Sequence, residues 1–390
     1  MASGGGGAAA ARSPLIVGYY GMRNAGDNAF CLVLDHALRR YWGTESPLFA
    51  APTLPGLAPE ACTLSGRWFT AERTTLRAGR VLGKLAGLRH ASMLLFGGGS
   101  VFRDMGPLSE KRAFSWWSRM TGKPMAAVGV SVGPFVSVAA ERRLGRVLRR
   151  IEYLAVRDAA SYDRALAAGC RGRLVLAADL AGLLPEAIDV SALRRVADGE
   201  TPSLRPRLGV TVVGRDPELD DAARRRREDG IIEAVRAVAD HDGVDVTVLV
   251  FNDHPERGDN AVSRRLAERL PRTGTHRVVT AAEGVGALIA ALAQCDACLH
   301  VRLHGAIFSY VLGIPFALVP YQPKCDDFLE EIGQPYELRL PRVPATAEVR
   351  AVIHRLLSHP SPPSLDREAF AERARRNFTE APWQVARAAA

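Results

Sequence analysis

The segment RLHGAIFSYVLGIPFALVPYQPK in the C-terminal half holds the side chains best suited to chemistry on an anion. Arg302 carries a planar fork of N–H donors that fits a carboxylate or a phosphate, and Leu303 and His304 follow it directly. Tyr321 and Lys324 stand near the other end of the segment and add a hydroxyl and a second cation. These residue types in this order predict a binding site for an anionic ligand.

Two predicted strands and the helix between them would position these residues. An apolar strand at 297–301 leads through a short turn into a helix at 304–312, and a second strand follows at 315–319. The free N–H groups at a helix start attract an anion. Open α/β sheets bind ligands at the carboxyl ends of their strands, so we expect both ends of the segment to meet at that edge.

Structural interpretations stay open for the same side chains. Arg302 would then be a salt-bridge partner, and His304 would be a core histidine whose hydrogen bonds are satisfied. Tyr321 would serve packing alone, and Lys324 would be a solvated lysine at a helix start.

A glycine-rich loop, GYYGMRNAGDN, joins a predicted strand at 14–20 to a predicted helix at 28–41. Glycines allow the backbone to approach a ligand closely. Asn24 and Asp27 lie at the polar tip of the loop and would face a ligand, or Asp27 would simply cap the helix. The loop is not GxGxxG and no acidic ribose partner follows, which disfavours a dinucleotide site.

A second glycine-rich segment, FGGGSVFRD, follows a predicted strand at 91–96 and includes Gly98 and Gly99. Consecutive glycines are costly to order, so this backbone is expected to pass close to a ligand or to another loop. Asp104 at its end is expected to brace a loop or cap a helix. Arg157 follows a further predicted strand, in the sequence AVRDAAS, and supplies another cation.

The alternation of strand, loop and helix runs through the chain twice and predicts an α/β fold. We expect two Rossmann-like domains that face a central cleft. The predicted boundaries are a disordered tail at 1–12, domains at 13–200 and 205–345, and C-terminal helices at 346–390 that pack back on the N-terminal domain.

These motifs together resemble the polysaccharide pyruvyltransferase family. The resemblance is carried in order by GYYGMRNAGD, FGGGSVFRD, VGVSVGP, AVRDAAS and RLHGAIFSYVLGIPFALVPYQPK, across roughly residues 15–335. One departure is Ala178-Asp179-Leu180-Ala181, where the family commonly has Asp-Pro. The resemblance implies a fold like that of GT-B glycosyltransferases, with the donor bound by the domain at 205–345 and the acceptor by the domain at 13–200.

The resemblance also implies a reaction, the transfer of pyruvate from phosphoenolpyruvate to two hydroxyls of a sugar as a ketal. Arg302, Lys324 and Arg157 would supply positive charge to the carboxylate and phosphate of the donor. His304 titrates near neutrality when unperturbed, so it would be the acid that protonates the donor or a ligand of the phosphate. Asp27 would be the base or a contact to the acceptor hydroxyl.

Composition bounds the remaining choices. The chain has a formal net charge of +9 and 47% apolar residues, as expected of a globular protein that meets anionic substrates. Its basic runs are solvated helix faces or contacts to the inner membrane surface, where a lipid-linked sugar acceptor would sit. We expect a cytoplasmic enzyme with no span of roughly 18 apolar residues, no nucleic-acid partner and no cofactor besides the donor substrate.

The cysteines and histidines do not predict a metal site. Six cysteines are scattered, and the pair Cys295 and Cys298 lacks the second CxxC that a zinc site needs. His300 and His304 are four residues apart, a metal-binding spacing only on a helix, whereas a strand-to-turn transition lies between them.

Two other functions are compatible with the pattern. A GT-B-type nucleotide-sugar glycosyltransferase would use a carboxylate on its C-terminal domain, but no acidic residue follows Arg302 before Asp326. A catalytically lost scaffold protein is disfavoured by the intact Arg302, His304 and Lys324.

Overall fold

The computed structural model describes residues 13–64, 75–103, 110–190, 205–272 and 274–385 of the 390-residue chain. The chain divides into two compact units. The first unit contains the residues up to Tyr20, Cys31–Leu180 and the residues from Arg373 onward. The second contains Gly21–Phe30 and Ala181–Glu372.

The first unit is built on a parallel sheet of seven strands in the order β3-β2-β1-β4-β5-β6-β7. The strands are β1 (Pro14–Val17), β2 (Leu48–Pro52), β3 (Cys62–Leu64), β4 (Met93–Phe102), β5 (Met125–Val132), β6 (Tyr153–Val156) and β7 (Arg173–Leu176). The helices that belong wholly to this unit are α2 (Thr75–His90), α3 (Glu110–Thr121), α4 (Val138–Leu148) and α5 (Ala159–Ala167). Its central strands form because they are continuous apolar runs, and every residue of β5 is buried.

The second unit repeats the plan with a parallel sheet of five strands in the order β10-β9-β8-β11-β12. The strands are β8 (Arg207–Val210), β9 (Asp245–Val250), β10 (His276–Thr280), β11 (Ala297–His300) and β12 (Phe316–Leu318). The helices are α6 (Leu184–Ala187), α7 (Asp221–His241), α8 (Asn260–Arg269), α9 (Val285–Ala293), α10 (Leu303–Leu312), α11 (Pro323–Glu331) and α12 (Thr346–Ser358). The strand order reverses between β8 and β11, and open sheets bind ligands beyond the strand ends at such a switch point.

Two helices contain residues of both units. Helix α1 (Ala25–Trp42) has its first residues in the second unit and its remainder in the first. Helix α13 (Arg367–Thr379) contributes Arg373 and the residues after it to the first unit. There the buried Asn377 accepts a hydrogen bond from Gly129 N (2.7 Å) and donates one to Ala178 O (3.0 Å).

The predicted α/β fold with two Rossmann-like units is confirmed. Two details differ from the expectation. The glycines of FGGGSVF do not end a strand, because β4 continues through them to Phe102 with a shift in register. The helix after the first glycine-rich loop begins three residues earlier than predicted, at Ala25.

The division into units differs in three places from the predicted boundaries. Residues 21–30 and 181–190 group with the second unit and not with the first. Helix α12 also groups with the second unit and packs against α7, β11 and β12. The predicted tail at 1–12, Asp104 and residues 201–204 between the two predicted domains lie outside the described residues. None of the helices in the described part of the chain combines the length and the apolar character that a membrane span requires.

Candidate functional site

The glycine-rich loop at residues 21–30 is hydrogen-bonded to the second unit by its backbone. Ala25 N donates to Phe251 O (2.8 Å), and Asn24 forms an antiparallel bridge with Asn252. Arg23 O accepts from Asp253 N (3.1 Å), and Arg23 has a left-handed φ of 57°, which is unusual for a side chain of this size. These contacts fix the start of α1 beside the loop that follows β9.

Asn24, rather than Asp27, caps α1. The Asn24 side-chain oxygen accepts from Gly26 N (3.2 Å), and the Asn28 side-chain oxygen accepts from Gly21 N (2.9 Å). Asp27 instead lies half-buried in the first turn of the helix. A carboxylate in the first turn interacts favourably with the helix dipole. Because Asn24 is the residue that caps α1, the alternative in which Asp27 caps this helix does not apply.

His304 lies directly against Gly26. A Cβ placed on Gly26 would be 2.0 Å from His304 Nδ1, so no other residue fits there without displacing the imidazole. The half-buried ring is also edge-on to Phe30, with ring centroids 5.2 Å apart, and contacts Phe308 at 6.3 Å. The loop at 21–30 therefore forms one wall of the histidine's surroundings.

Arg302 is held by Asp259 through both of its paired donors. Arg302 Nε donates to Asp259 Oδ2 (2.7 Å), and a terminal guanidinium nitrogen donates to Asp259 Oδ1 (2.6 Å). Asp259 is 1% exposed and also accepts from Gly214 N (3.0 Å). Burial lowers the pKa of Arg302, but the charge of Asp259 and the hydrogen bonds of Asp259 and Tyr321 raise it above its ordinary value. The guanidinium is a permanent cation with one of its edges bound to Asp259.

Asp259 therefore takes one edge of the Arg302 guanidinium, the edge formed by Nε and Nη2. A bidentate contact to a ligand stays a prediction, and it would have to use the edge formed by the two terminal nitrogens. About a sixth of the Arg302 side chain stays exposed, at 17%, so its positive charge still acts on the surrounding space.

Thr211 fixes the turn between β11 and α10. Its buried hydroxyl oxygen accepts from Val301 N (3.1 Å) and Arg302 N (3.3 Å) and contacts His300 Nδ1 (3.2 Å). Leu303, the first residue of α10, is buried. The turn that carries Arg302 and His304 is thus held by β8 rather than by a ligand.

Tyr321 lies between two cations, as the parallel pairing of β11 and β12 requires. Its buried ring is 5.9 Å from the Arg302 guanidinium carbon and 5.5 Å from Lys324 Nζ. Lys324 is half-buried in the first turn of α11, after Pro323. The predicted meeting of both ends of the RLH segment is therefore confirmed.

The second unit brings most of the predicted site residues together at the carboxyl edge of its sheet. They are Asn24, Asp27, Arg302, Leu303, His304, Tyr321 and Lys324. The starts of α10 and α11 follow adjacent strands, and the start of α1 is fixed by the loop after β9. Two cations, Arg302 and Lys324, and the starts of three helices thus lie at this edge.

The remaining predicted residues, Arg157, Gly98 and Gly99, belong to the first unit. Arg157 is buried, and its guanidinium donates to Ser131 Oγ (2.7 Å) and to Asp179 Oδ2 (2.7 Å). Ser131 Oγ in turn donates to Asp158, which caps α5. Arg157 is therefore part of a polar network inside the first unit, as is Asp179.

The glycines of β4 lie beside β1 at the point where the strand order of the first sheet reverses. Gly98 and Gly99 have φ values of 71° and 78°, which only glycine adopts readily. Gly97 O accepts a hydrogen bond from Tyr20 Oη (2.5 Å). This close approach of another segment is the structural alternative that the sequence left open.

The CxxC pair is part of the core of the second unit. Cys295 and Cys298 are free and buried, and both sulfurs face Gly209. Burial raises the pKa of Cys298, but hydrogen bonds from Cys295 and His300 outweigh it and bring this pKa to about 5. His300 is fully buried and contacts Ser309 Oγ through Nε2 (2.8 Å). Within the described ranges, no group of three or more potential ligands is arranged to hold a metal ion.

Sequence reasoning missed three residues around Arg302 and the loop at 21–30. Asp259 precedes α8 and resembles a helix cap, yet its carboxylate pairs with Arg302. Thr211 gave no signal because a threonine at a strand end is ordinary. Asp253 is buried beside Arg23, and burial raises its pKa above the ordinary value while the Arg23 charge opposes that rise.

Residues 24–323 match the family model described as polysaccharide pyruvyl transferase. The amylovoran biosynthesis protein AmsJ of Erwinia amylovora is 26% identical over 255 residues, which are 61% of this chain and 59% of AmsJ. The matched region thus spans less than two thirds of that relative.

Solved structures share the fold. UDP-GlcNAc 2-epimerase from Neisseria meningitidis has a TM-score of 0.60 at 10% identity, with 94% of this chain and 98% of that chain covered. The enzyme from Methanocaldococcus jannaschii has a TM-score of 0.60 at 9% identity, with 95% and 99% covered. At such low identity the likeness establishes the GT-B-like fold of two Rossmann-like domains alone.

Proposed function

Since the chain belongs to the polysaccharide pyruvyl transferase family, we propose that it transfers pyruvate from phosphoenolpyruvate to two hydroxyls of a sugar as a ketal. The observation that carries the proposal is the position of His304 against Gly26. This contact brings the RLH segment and the glycine-rich loop together in one site. A titratable group beside fixed cations is what a phosphorylated enol substrate requires.

The donor would be held by charge and by helix starts. Phosphoenolpyruvate carries a carboxylate and a phosphate, and both are anions. Lys324 and the N–H groups in the first turn of α10, which begins at Leu303, are the proposed direct contacts. Arg302 would add its fixed positive charge and those N–H groups that do not bind Asp259.

His304 is proposed as the acid. Protonation of the methylene carbon of the donor makes C2 cationic, and a sugar hydroxyl then attacks that carbon. The C–O bond to phosphate breaks, and the second hydroxyl closes the ketal ring. The two sugar hydroxyls release two protons in total. One of them replaces the proton that the acid gave to the methylene carbon, and the second leaves with phosphate, so atoms and charge balance.

Asp27 is proposed as the base or as the contact to the acceptor hydroxyl. What supports this role is its position directly after Gly26, whose backbone lies against His304. Asn24 would serve by capping α1 and holding this turn in place. Arg157, Gly98 and Gly99 are not part of the proposed donor site, because they belong to the first unit.

The acceptor is proposed to be a sugar of a glycan or glycan precursor, either free or lipid-linked. A ketal needs two hydroxyls close enough to close one ring on the same carbon. The family and the relative AmsJ, a protein of amylovoran biosynthesis by its name, support a polysaccharide pathway.

The test is a transfer assay with phosphoenolpyruvate and a panel of methyl hexopyranosides. Phosphate release is measured, and mass spectrometry identifies a sugar that carries a pyruvate ketal. We expect His304→Ala to lower turnover by about a hundredfold or more, as loss of a general acid does. The control is His359→Ala, at an exposed position after α12, which should turn over normally. A His304→Ala enzyme with near wild-type turnover would contradict the proposed acid.

A further inference from the structure

Four large apolar side chains are exposed on one face of the first unit. Trp116 and Met120 of α3 are 65% and 64% exposed. Val136 and Val138, at the start of α4, are 55% and 62% exposed. Neither pair is needed for the core, since Phe114 of α3 already packs against it.

The two helices belong to one layer. Helix α3 connects β4 to β5, and α4 connects β5 to the next strand, β6, in the same direction across the sheet. Right-handed crossovers in one direction place both helices on the same side, and the two helices are in contact. We call this face, with Trp116, Met120, Val136 and Val138, the α3–α4 surface.

The segment at 110–150, which contains α3 and α4, concentrates positive charge. Residues 110–150 hold nine of the 51 lysines and arginines of the chain but only two of its 42 acidic residues. Arg119, Arg142, Arg146 and Arg150 are exposed on α3, on α4 or just after α4. Aromatic and apolar side chains within a field of arginines match the interface of an anionic bilayer, whose headgroups are charged and whose interior is apolar.

A second copy of the chain is a poorer occupant. A two-fold contact brings the same patch of both subunits together, so the arginines would face arginines. Like charges placed against one another oppose association. An anionic lipid surface both neutralises these cations and accepts the exposed Trp116.

We propose that the α3–α4 surface docks peripherally on an anionic lipid bilayer. Trp116 and Met120 enter the headgroup region, and Arg142 and Arg146 contact lipid phosphates. The inference is independent of the donor site, which lies in the second unit. It would place the enzyme where a lipid-linked sugar is presented.

The test is co-sedimentation with phosphatidylcholine vesicles that contain about one third phosphatidylglycerol, beside vesicles of phosphatidylcholine alone. Wild type should sediment with the anionic vesicles only, and less so at high salt, because salt screens exposed charges. The variants Trp116→Ser/Met120→Ser and Arg142→Ser/Arg146→Ser should each weaken vesicle binding by about tenfold or more. The charge-matched control Arg225→Ser/Arg226→Ser, on the exposed face of α7, should bind as wild type does.

Folding and catalysis are followed in the same variants. Their melting midpoints and their turnover with a soluble acceptor should equal those of wild type, which separates this proposal from the proposed reaction. The proposal is overturned if wild type does not sediment with anionic vesicles. It is also overturned if the α7 control loses as much vesicle binding as the variants of the α3–α4 surface. So does a Trp116→Ser/Met120→Ser variant that changes only the oligomeric state by light scattering. If a single-stranded oligonucleotide, added at the same concentration of negative charge as the anionic lipid, displaces the protein from the vesicles, the surface binds nucleic acid instead.

Discussion

The pair Arg302 and Asp259 shows how a residue suited to a ligand can be used by the protein itself. Arginine at a strand end beside a helix start fits an anion, but here two of its donors bind Asp259. Asp259 lies 43 residues earlier and precedes a helix, where an aspartate is normally explained as a cap. No local pattern distinguishes these roles, so the sequence predicted the site but not the pairing.

The pair should be important for stability. Asp259→Ala leaves a largely buried guanidinium without its counter-charge, so we expect it to lower the free energy of unfolding by about 3 kcal/mol. Urea denaturation measures the loss. The matched control is Asp35→Ala, which breaks the exposed pair with Arg39 and should cost about 0.5 kcal/mol or less. Equal effects in both variants would contradict the buried role of Asp259.

Gly26 makes a sharper prediction about activity. Gly26→Ala places a methyl group in the space of the His304 imidazole, so we expect kcat/KM for phosphoenolpyruvate to fall by about a hundredfold. The control is Gly286→Ala in α9, where a Cβ meets nothing within 4 Å. Steady-state kinetics of both variants measure kcat/KM for phosphoenolpyruvate. A Gly26→Ala enzyme as active as the Gly286→Ala enzyme would show that the position of His304 does not matter.

Asp253 makes stability depend on pH. Burial raises its pKa in the folded state, so above that raised pKa the buried carboxylate is charged and this charge costs stability. As pH falls through the folded pKa towards the unfolded value of 3.8, Asp253 gains its proton in the folded protein before it does so in the unfolded chain. The loss of stability that the buried charge causes then disappears.

Replacement by asparagine keeps the side-chain acceptor and removes the charge. We therefore expect Asp253→Asn to melt above wild type near pH 7 and at the same temperature by about pH 4. Melting curves at both pH values test this, with exposed Asp163→Asn as the control that should show no such trend. An advantage of Asp253→Asn that grows as pH falls would contradict the direction of the shift.

At the scale of elements, periodicity predicted most strands and helices of both sheets. The strand predicted at 297–301 is observed as Ala297–His300, and the helix predicted at 304–312 as Leu303–Leu312. The prediction that β4 ends at its glycines was wrong, because three glycines suggest a turn. In the structure, pairing with β5 continues past them to Phe102 across a shift in register, although Gly98 and Gly99 have positive φ values. The grouping of residues 21–30 with the second unit depends on backbone hydrogen bonds to the loop after β9, which no local pattern encodes.

The C-terminal helix α13 depends on one buried amide. Asn377→Ala removes the partners of Gly129 N and Ala178 O, which are hydrogen-bonded in the interior of the first unit. We expect a loss of about 3 kcal/mol in the free energy of unfolding, because two backbone groups are left unsatisfied. Exposed Gln384→Ala is the control and should cost almost nothing. Urea midpoints that coincide for the two variants would show that the amide is dispensable.

At the scale of the whole molecule, the two units carry different chemistry. The second unit contains the RLH segment and the glycine-rich loop at 21–30, so the proposed donor site is built within it. The first unit carries the arginine-rich segment at 110–150 and its exposed apolar side chains. A donor site in one unit and a docking surface in the other would allow each to be altered without loss of the other.

The most direct measurement is a melting curve of wild type and Lys324→Ala with and without millimolar phosphoenolpyruvate, beside the same pair with UDP. A ligand that binds only the folded protein raises the midpoint by mass action. We expect phosphoenolpyruvate to raise the midpoint of wild type, to raise that of Lys324→Ala much less, and UDP to raise neither. Stabilisation by UDP without stabilisation by phosphoenolpyruvate would contradict the proposed donor and favour a nucleotide-sugar enzyme.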